Sequence, residues 1–178
     1  AAALQNRRRS PKAWHQRADQ ERIMVHASNF RPVKRVADVV RAFAKIQRRL
    51  PARLLLIGDG PDREHALAVA NDLGCGHRVE HLGMRDNLDE ILPNTDLFLS
   101  ASETESFGLS ILEAMSCGVP CISTAVGGVA EVVGQTGRLV PLGDPDAMAN
   151  AAIKVLTDPD IYDQLAIATR QRAIDLFS

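Results

Sequence analysis

The chain has 178 residues, of which 46% are hydrophobic and 24% are charged, and its net charge at pH 7 is −1. This apolar content suffices for one well-buried domain and excludes a disordered chain, and the near-neutral charge argues against a general nucleic-acid binder. No apolar run approaches the roughly 18 residues that span a bilayer, and no secretory signal is found, so we expect a cytoplasmic protein without a membrane span.

The first 21 residues form a basic leader. Residues 1–22 hold six basic and two acidic side chains, which leaves 15 basic and 20 acidic side chains in the remainder. We interpret the leader as a solvated or interdomain segment, and binding to nucleic acid or phospholipid is the less favoured alternative. The domain that follows is predicted to occupy residues 22–178.

Short apolar runs alternate with helical spacing along that domain. The runs typical of strands are Ile23–Ala27, Leu54–Ile57, Val79–Leu82, Leu97–Ser100, Val119–Ser123 and Leu139–Val140. Between the first two runs, Val36, Val39, Val40, Phe43 and Ile46 recur at steps of three and four and therefore share one helix face. Apolar strands separated by helices predict an α/β fold: a doubly wound, Rossmann-like parallel sheet of about six strands with helices on both faces.

The loop after the first predicted strand is S-N-F-R-P-V-K-R, residues 28–35. Ligands of a doubly wound sheet bind beyond the carboxyl ends of its strands, so Arg31, Lys34 and Arg35 are placed to neutralise an anion such as a diphosphate. A basic loop with its charges in water is the open alternative. The later G-D-G-P turn is a weak nucleotide signal, and it and the pair Gly127–Gly128 are interpreted as turns.

The segment E-S-F-G-L-S-I-L-E-A-M-S-C-G-V-P, residues 105–120, predicts a helix at the same edge of the sheet. Ser106 is the expected N-cap and Gly118 the expected terminator, so a helix of about ten residues should begin near Phe107. Its N-terminus would present unpaired amides and the positive end of the helix dipole, and Gly108 would let a phosphate approach the backbone.

Glu105 precedes this helix and Glu113 follows eight residues later, which corresponds to roughly 10 Å along a helix axis. Two carboxylates so spaced can accept hydrogen bonds from hydroxyl groups at opposite ends of a diphosphate-linked molecule. The alternative is that Glu105 stabilises the helix dipole and Glu113 is a solvated helix residue.

No pattern in the sequence indicates a metal, a cofactor or a hydrolytic nucleophile. The three cysteines match no zinc spacing and are expected to be reduced, and the five histidines do not cluster with cysteines or carboxylates. The nucleophile motif G-x-S-x-G and the dehydrogenase fingerprint G-x-G-x-x-G are both missing. His26, on the first strand, is interpreted as packed and hydrogen-bonded, with a cleft-facing position as the alternative.

Together these segments resemble the retaining family-4 glycosyltransferases. The match rests on the family's E-x7-E motif, Glu105 to Glu113, within E-S-F-G-L-S-I-L-E-A-M-S-C-G-V-P-C-I-S-T-A-V-G-G-V-A-E, and it extends from about Arg22 to Ser178. The resemblance implies the C-terminal half of a GT-B fold, a nucleotide-sugar-binding domain, with the acceptor-binding N-terminal domain absent from this chain. Its implied partners are a UDP-sugar, that N-terminal domain and a small-molecule acceptor, without nucleic acid.

The resemblance also assigns roles to individual residues. Glu105 would lie by the donor sugar and, with Lys34 and Arg31, would form the catalytic set, while Glu113 would bind the ribose hydroxyls. The position of the family's arginine holds Asn29, and Arg31 is the candidate substitute for it. The remaining expected nucleotide-sugar contacts are Gly83, Met84 and Arg85 beside the base, and Ser106, Phe107, Gly108 and Leu109 beside the sugar and diphosphate.

The variant H-x-S-N-F-R-x-V-K-R-V resembles the members that attach N-acetylglucosamine to L-malate in bacillithiol synthesis. The implied reaction moves the sugar from UDP-N-acetylglucosamine to a hydroxyl group with retention of configuration and needs neither metal nor cofactor. With half of the cleft absent, the chain alone is expected to be inactive. A nucleotide-sugar epimerase on the same fold and a non-catalytic interaction domain are the alternatives, whereas a dehydrogenase is disfavoured by the missing fingerprint.

Overall fold

The computed structural model of the chain describes residues 21–105 and 108–177. The predicted basic leader, apart from Glu21, lies outside these ranges. The candidate site residues Ser106 and Phe107 also lie outside them.

Within these ranges, six strands form one sheet in which every neighbouring pair is parallel. The strands are β1 (Arg22–Ala27), β2 (Ala52–Ile57), β3 (Val79–Gly83), β4 (Leu97–Ser100), β5 (Cys121–Thr124) and β6 (Arg138–Val140). Their order across the sheet is β3-β2-β1-β4-β5-β6. The prediction of a doubly wound, Rossmann-like parallel sheet is therefore confirmed.

Helices connect the strands and cover both faces of the sheet. They are α1 (Val36–Ile46), α2 (Arg63–Asp72), α3 (Leu88–Ile91), α4 (Leu109–Ser116), α5 (Val129–Val133), α6 (Pro145–Thr157) and α7 (Pro159–Phe177). Short 3-10 turns cover Pro32–Lys34, Gly76–Arg78 and Leu92–Asn94. None of these helices combines the length and apolar content that a bilayer crossing requires.

The core consists of two apolar layers, one on each side of the sheet. Successive residues of a strand point to opposite faces, so Met24 packs in one layer and Val25 in the other. The first layer includes all five positions of the predicted apolar face of α1, and each of them is buried. The second layer includes Phe98, Ile111 and Met115, which join β4 to α4. Burial on both faces explains the continuous burial along the central strands β4 and β5, whereas the edge strands β3 and β6 are only partly covered.

Strand β5 begins at Cys121, two residues later than predicted. The reason is that Val119 still belongs to the end of α4, where its N–H donates to the Ala114 carbonyl at 3.0 Å. Together with the bond from Gly118 to Met115, at 2.9 Å, this is the double hydrogen bond that closes many helices. Gly118, with φ of +72°, terminates α4 as predicted.

The strand order reverses between β1 and β4, which are neighbours in the sheet. The connections after these two strands leave on opposite faces, so a crevice opens beyond their carboxyl ends. The loop after β1 carries the predicted cations, and the loop after β4 leads through Glu105 into α4. The topology thus brings together two segments about seventy residues apart in the sequence.

Candidate functional site

A cavity of about 340 Å³ lies at this reversal point. Its walls include His26 and Ser28 from the β1 side, Ser100 and Ser102 from the β4 side, and residues 108–111 at the start of α4. We call it the inner cavity. Hydroxyl groups and the first turn of a helix line it, so its surface offers many hydrogen-bond donors to an oxygen-rich ligand.

A second cavity, of about 430 Å³, adjoins the first, and we call it the outer cavity. Arg31, Glu103 and Gly127 line only this second space, whereas Asn29 lines both cavities, as do Lys34 and Glu105. Of the three predicted catalytic residues, Lys34 and Glu105 thus lie between the cavities, and Arg31 lies in the outer one.

Lys34 and Glu105 form an ion pair in the structure. The Lys34 Nζ donates to Glu105 Oε2 at 2.8 Å, and Ser102 Oγ donates to the same oxygen at 3.5 Å. The two charged side chains are only 18% and 19% exposed, so water screens this pair less than it screens a surface pair. Glu105, which is predicted to lie beside a sugar, therefore contacts Lys34, which is predicted to lie beside a diphosphate.

The β1 loop holds its shape through an unusual residue, Phe30. Its φ of +50° is uncommon for a bulky side chain, and the side chain is fully buried between the rings of His26 and His81. The G-D-G turn packs tightly against this loop: a Cβ at Gly58 would lie 1.7 Å from the Ser28 carbonyl oxygen, and one at Gly60 2.0 Å from that of Asn29. The turn is therefore structural, because only glycine permits this approach.

His26 is buried and makes two hydrogen bonds at the floor of the inner cavity. Its Nδ1 lies 2.8 Å from the Leu99 carbonyl oxygen, which can only accept, so Nδ1 carries the proton. Its Nε2 therefore accepts from the Ser28 hydroxyl at 2.8 Å. Burial lowers the pKa of His26 to about 4, aided by the positive charge of Lys34, against opposing effects of the Leu99 bond and Glu105. The ring is thus neutral at pH 7, packed as predicted, and also faces the cavity.

Helix α4 begins at Leu109, later than predicted, and Gly108 with φ of +66° precedes it. The residue at the N-cap is therefore Gly108, which corrects the expectation that Ser106 occupies that position. The 10 Å spacing also needs correction, because Glu105 lies in the loop and only residues 109–116 rise as a helix. Gly108 is buried at the cavity wall, and Leu109 beside it is 65% exposed.

The backbone of Glu105 is held by the loop after β5. The Gly128 N–H donates to the Glu105 carbonyl at 3.0 Å, and a Cβ at Gly127 would lie 2.1 Å from that same oxygen. Gly127 also has a φ of +50°. The paired glycines therefore form the close-approach turn that the sequence predicts, and its contact is the backbone of the first motif acid.

The second acid, Glu113, is half-buried on α4. Burial raises its pKa, and the negative charge of Asp89 raises it further. Glu113 is not among the residues that line the two cavities, whereas Glu105 lines both. Its neighbour Asp89 belongs to α3, which follows the β3 loop.

The predicted base-flanking residues lie at the end of β3 and directly after it, and none of them lines either cavity. Met84 is 83% exposed, and Arg85 donates from Nε to the Leu82 carbonyl at 2.8 Å. Gly83 has a φ of +72°, and its carbonyl accepts from Gly58 at 2.8 Å. They share the carboxyl edge of the sheet with the cavities, and strands β2 and β1 separate them from β4.

Three groups at the site were not singled out by sequence reasoning: the hydroxyls Ser100 and Ser102 and the acid Glu103. A usable signal exists for the serines, because polar side chains directly after an apolar strand lie at the ligand-binding edge. Among the described residues, no group of three or more His, Cys, Asp or Glu side chains could hold a metal ion.

The family model for group 1 glycosyl transferases matches residues 21–158. Over 162 residues the chain is 47% identical to N-acetyl-alpha-D-glucosaminyl L-malate synthase of Bacillus anthracis, covering 90% of this chain and 42% of that protein. The chain therefore spans about two-fifths of the length of this relative.

Solved structures show the same architecture. Anabaena HepE in complex with UDP and glucose superposes with a TM-score of 0.83 at 25% identity, over 97% of this chain and 50% of that one. Sucrose-phosphate synthase of Thermosynechococcus elongatus superposes with a TM-score of 0.82 at 30% identity, over 94% of this chain and 44% of that one. With its parallel sheet, its E-x7-E segment and the family match over most of its length, the chain belongs to the group 1 glycosyltransferases.

Proposed function

We propose that residues 22–178 are the donor-binding domain of a retaining glycosyltransferase. Its donor would be UDP-N-acetylglucosamine, and its acceptor a small hydroxyl compound, L-malate. The observation that carries the proposal is the Lys34–Glu105 ion pair facing the first turn of α4. A cation beside helix amides suits a diphosphate, and an adjoining carboxylate suits sugar hydroxyls. The similarity to the Bacillus anthracis synthase supports this sugar and this acceptor, and the HepE complex with UDP and glucose supports a uridine nucleotide.

In this proposal the leaving UDP is stabilised by fixed positive groups. Lys34 and the amides at the start of α4 would face the diphosphate in the inner cavity, and Arg31 would reach it from the outer cavity. Asn29 lines both spaces and contributes a neutral amide where the family carries an arginine. These groups would take the place of a metal ion in balancing the charge that develops on the departing phosphate.

Donor binding would exchange partners within the ion pair. A phosphate oxygen would take the Lys34 ammonium, and a sugar hydroxyl would donate to the Glu105 carboxylate, so neither partly buried charge is left unpaired. Glu105 would thereby orient the donor sugar and would not attack it. The acceptor hydroxyl would enter on the face that UDP leaves, which retains the configuration of the sugar carbon.

The nucleoside would extend from the diphosphate toward α3 and the β3 loop. Glu113 would accept hydrogen bonds from the ribose hydroxyls, which relieves the cost of a half-buried carboxylate. Residues 83–85 would flank the base. The acceptor would bind to a second, N-terminal domain of the same protein, and three buried free cysteines fit a cytoplasmic location.

Calorimetric titration of the chain with UDP, GDP and ADP tests the proposal. We expect weak binding with UDP preferred, and no turnover of UDP-N-acetylglucosamine. Glu113→Ala should weaken UDP binding at least tenfold, the loss expected for hydrogen bonds to a charged group. Glu105→Ala should change UDP affinity by less than about threefold, because UDP lacks the donor sugar that Glu105 would contact.

Glu80→Ala is the matched control, since Glu80 is an exposed acid on β3, and it should leave UDP affinity unchanged. If neither Glu113→Ala nor Glu105→Ala changed the affinity for UDP, the assignment of Glu113 to the ribose hydroxyls would be contradicted. An interaction domain would bind none of the nucleotides. Product analysis with the full-length protein separates a transferase, which joins sugar to acceptor, from an epimerase, which returns a changed UDP-sugar.

A further inference from the structure

Arg35, directly after Lys34, has a backbone conformation that favours glycine. Its φ and ψ are +47° and +49°, and it stands at the N-terminus of α1. A residue other than glycine is uncommon in this left-handed region, so other contacts must hold it there. The side chain of Arg35 supplies them.

The Arg35 guanidinium bridges two acids from different parts of the chain. Its Nε donates to Asp38 Oδ2 at 2.7 Å, and its Nη1 donates to Glu103 Oε1 at 3.2 Å. Asp38 is buried and also accepts from Arg41 at 2.8 Å, so it is a fixed anchor on α1. Glu103, in contrast, belongs to the loop after β4. Arg35 therefore ties the β4 loop to a rigid helix.

Three consecutive links join the two loops that form the site. Glu103 N–H donates to the Val33 carbonyl at 2.8 Å, Lys34 pairs with Glu105, and Arg35 pairs with Glu103. Lys34 is thus flanked on both sides by residues bonded to the opposite loop. A change in the Arg35–Glu103 link would alter the separation of Lys34 from Glu105.

We propose that Arg35 is a positioning residue that holds Lys34 and Glu105 at the spacing a diphosphate sugar requires, without touching the ligand. This inference rests on the proposed function, because it concerns the same pair of residues. Arg35 differs from Arg31 in this respect: Arg31 lines the outer cavity, whereas the guanidinium of Arg35 is engaged by Asp38 and Glu103.

Arg35→Gly tests the inference, because glycine keeps the left-handed backbone and removes only the side chain. UDP and uridine serve as probes in calorimetry. We expect UDP affinity to fall about fivefold and uridine affinity to stay unchanged, because uridine has no diphosphate to engage Lys34. Glu103→Gln should have a similar effect, and the double variant should lose no more than either single variant.

Arg41→Ala is the matched control, since it removes the other hydrogen bond to Asp38 but does not reach Glu103, and it should leave both affinities unchanged. Unchanged UDP affinity in Arg35→Gly would overturn the inference. A parallel loss of UDP and uridine affinity would also overturn it, because that pattern indicates a general loss of structure.

A measurement without ligand separates this inference from the proposed function. Arg35→Gly should speed hydrogen exchange of the Glu103 amide about tenfold, because the bond to Val33 then opens more often, and Arg41→Ala should not. Unchanged exchange in Arg35→Gly overturns the inference. Faster exchange in a chain that binds no nucleotide supports the link between the loops and refutes the proposed function alone.

Discussion

The two acids of the E-x7-E segment occupy opposite electrostatic surroundings. Glu105 pairs with Lys34, accepts from Ser102, and has its backbone carbonyl bonded to Gly128. Glu113 is half-buried beside another acid, and both effects raise its pKa. Among the described residues, no cation pairs with it. One acid is therefore satisfied before any ligand arrives, and the other carries an electrostatic cost.

This difference indicates how the two sides of the site work. The Lys34–Glu105 side is preorganised: its charges are matched and its backbone is fixed, so under the proposed function donor binding would exchange partners there. On the Glu113 side, a carboxylate is kept where folding alone disfavours its charge. Such unfavourable placement is typical of functional groups, whose cost a ligand relieves.

The largest expected effect comes from breaking the backbone support of Glu105. Gly127→Ala should lower the free energy of unfolding by about 4 kcal/mol, because the new Cβ would clash with the Glu105 carbonyl oxygen and φ is positive. Urea denaturation measures this. Gly74→Ala is the control: its φ is +75° with no atom within 4 Å of the new Cβ, so it should cost only about 1 kcal/mol. Equal costs would show that Glu105 is not held at this point.

Acidification should lower the free energy of unfolding through His26, which lines the inner cavity beside Lys34 and Glu105. Its pKa is lowered to about 4 in the folded chain, so between pH 6.5 and 4 the unfolded chain binds a proton that the folded chain does not. The stabilisation that comes from the neutral His26 should be fully present above pH 6.5. The free energy of unfolding should fall by about 3 kcal/mol as the pH is lowered over this range. Denaturation at several pH values measures the slope, which His26→Gln should flatten. An equal slope in the variant would assign it to other groups.

The third prediction concerns the partners in the ion pair. Lys34→Met should weaken UDP binding about tenfold, since it removes a charge-assisted contact to phosphate. Glu105→Gln should leave UDP affinity the same or slightly higher, because it frees Lys34 from its competing partner. Lys45→Met, which breaks the Lys45–Asp146 pair elsewhere on the surface, controls for the loss of one lysine. Equal effects of Lys34→Met and Lys45→Met on calorimetric affinity would refute a specific role.

The smallest expected effect tests the free-energy cost of keeping a charged Glu113 in the folded chain. Because its folded pKa is raised, the charged form opposes folding: the penalty is absent at low pH, grows as pH rises past the ordinary glutamate value, and is complete above the raised value. Glu113→Gln should therefore raise the thermal midpoint slightly at pH 7 and not at pH 3.5, while weakening UDP binding. Glu80→Gln should do neither. A lower midpoint for Glu113→Gln at pH 7 would contradict the comparison.

The six strands, the order of elements and the helix that follows Glu105 were predictable from the sequence, because each depends on local periodicity. Apolar runs buried on both faces leave a continuous pattern, as at Leu97–Ser100, where prediction and structure agree. Turn glycines such as Gly118 were also predictable, since few residues other than glycine adopt a positive φ.

The site itself depended on tertiary structure. Sequence patterns placed Lys34 and Glu105 on two loops at one sheet edge, but only the β1–β4 adjacency brought them to 2.8 Å. The salt bridge between Arg35 and Glu103 left no local signal, because a contact between distant loops has no sequence period. Local chemistry selects elements, whereas charge pairing and burial are properties of the packed chain. These decide that the charge of Glu105 is compensated and that of Glu113 is not.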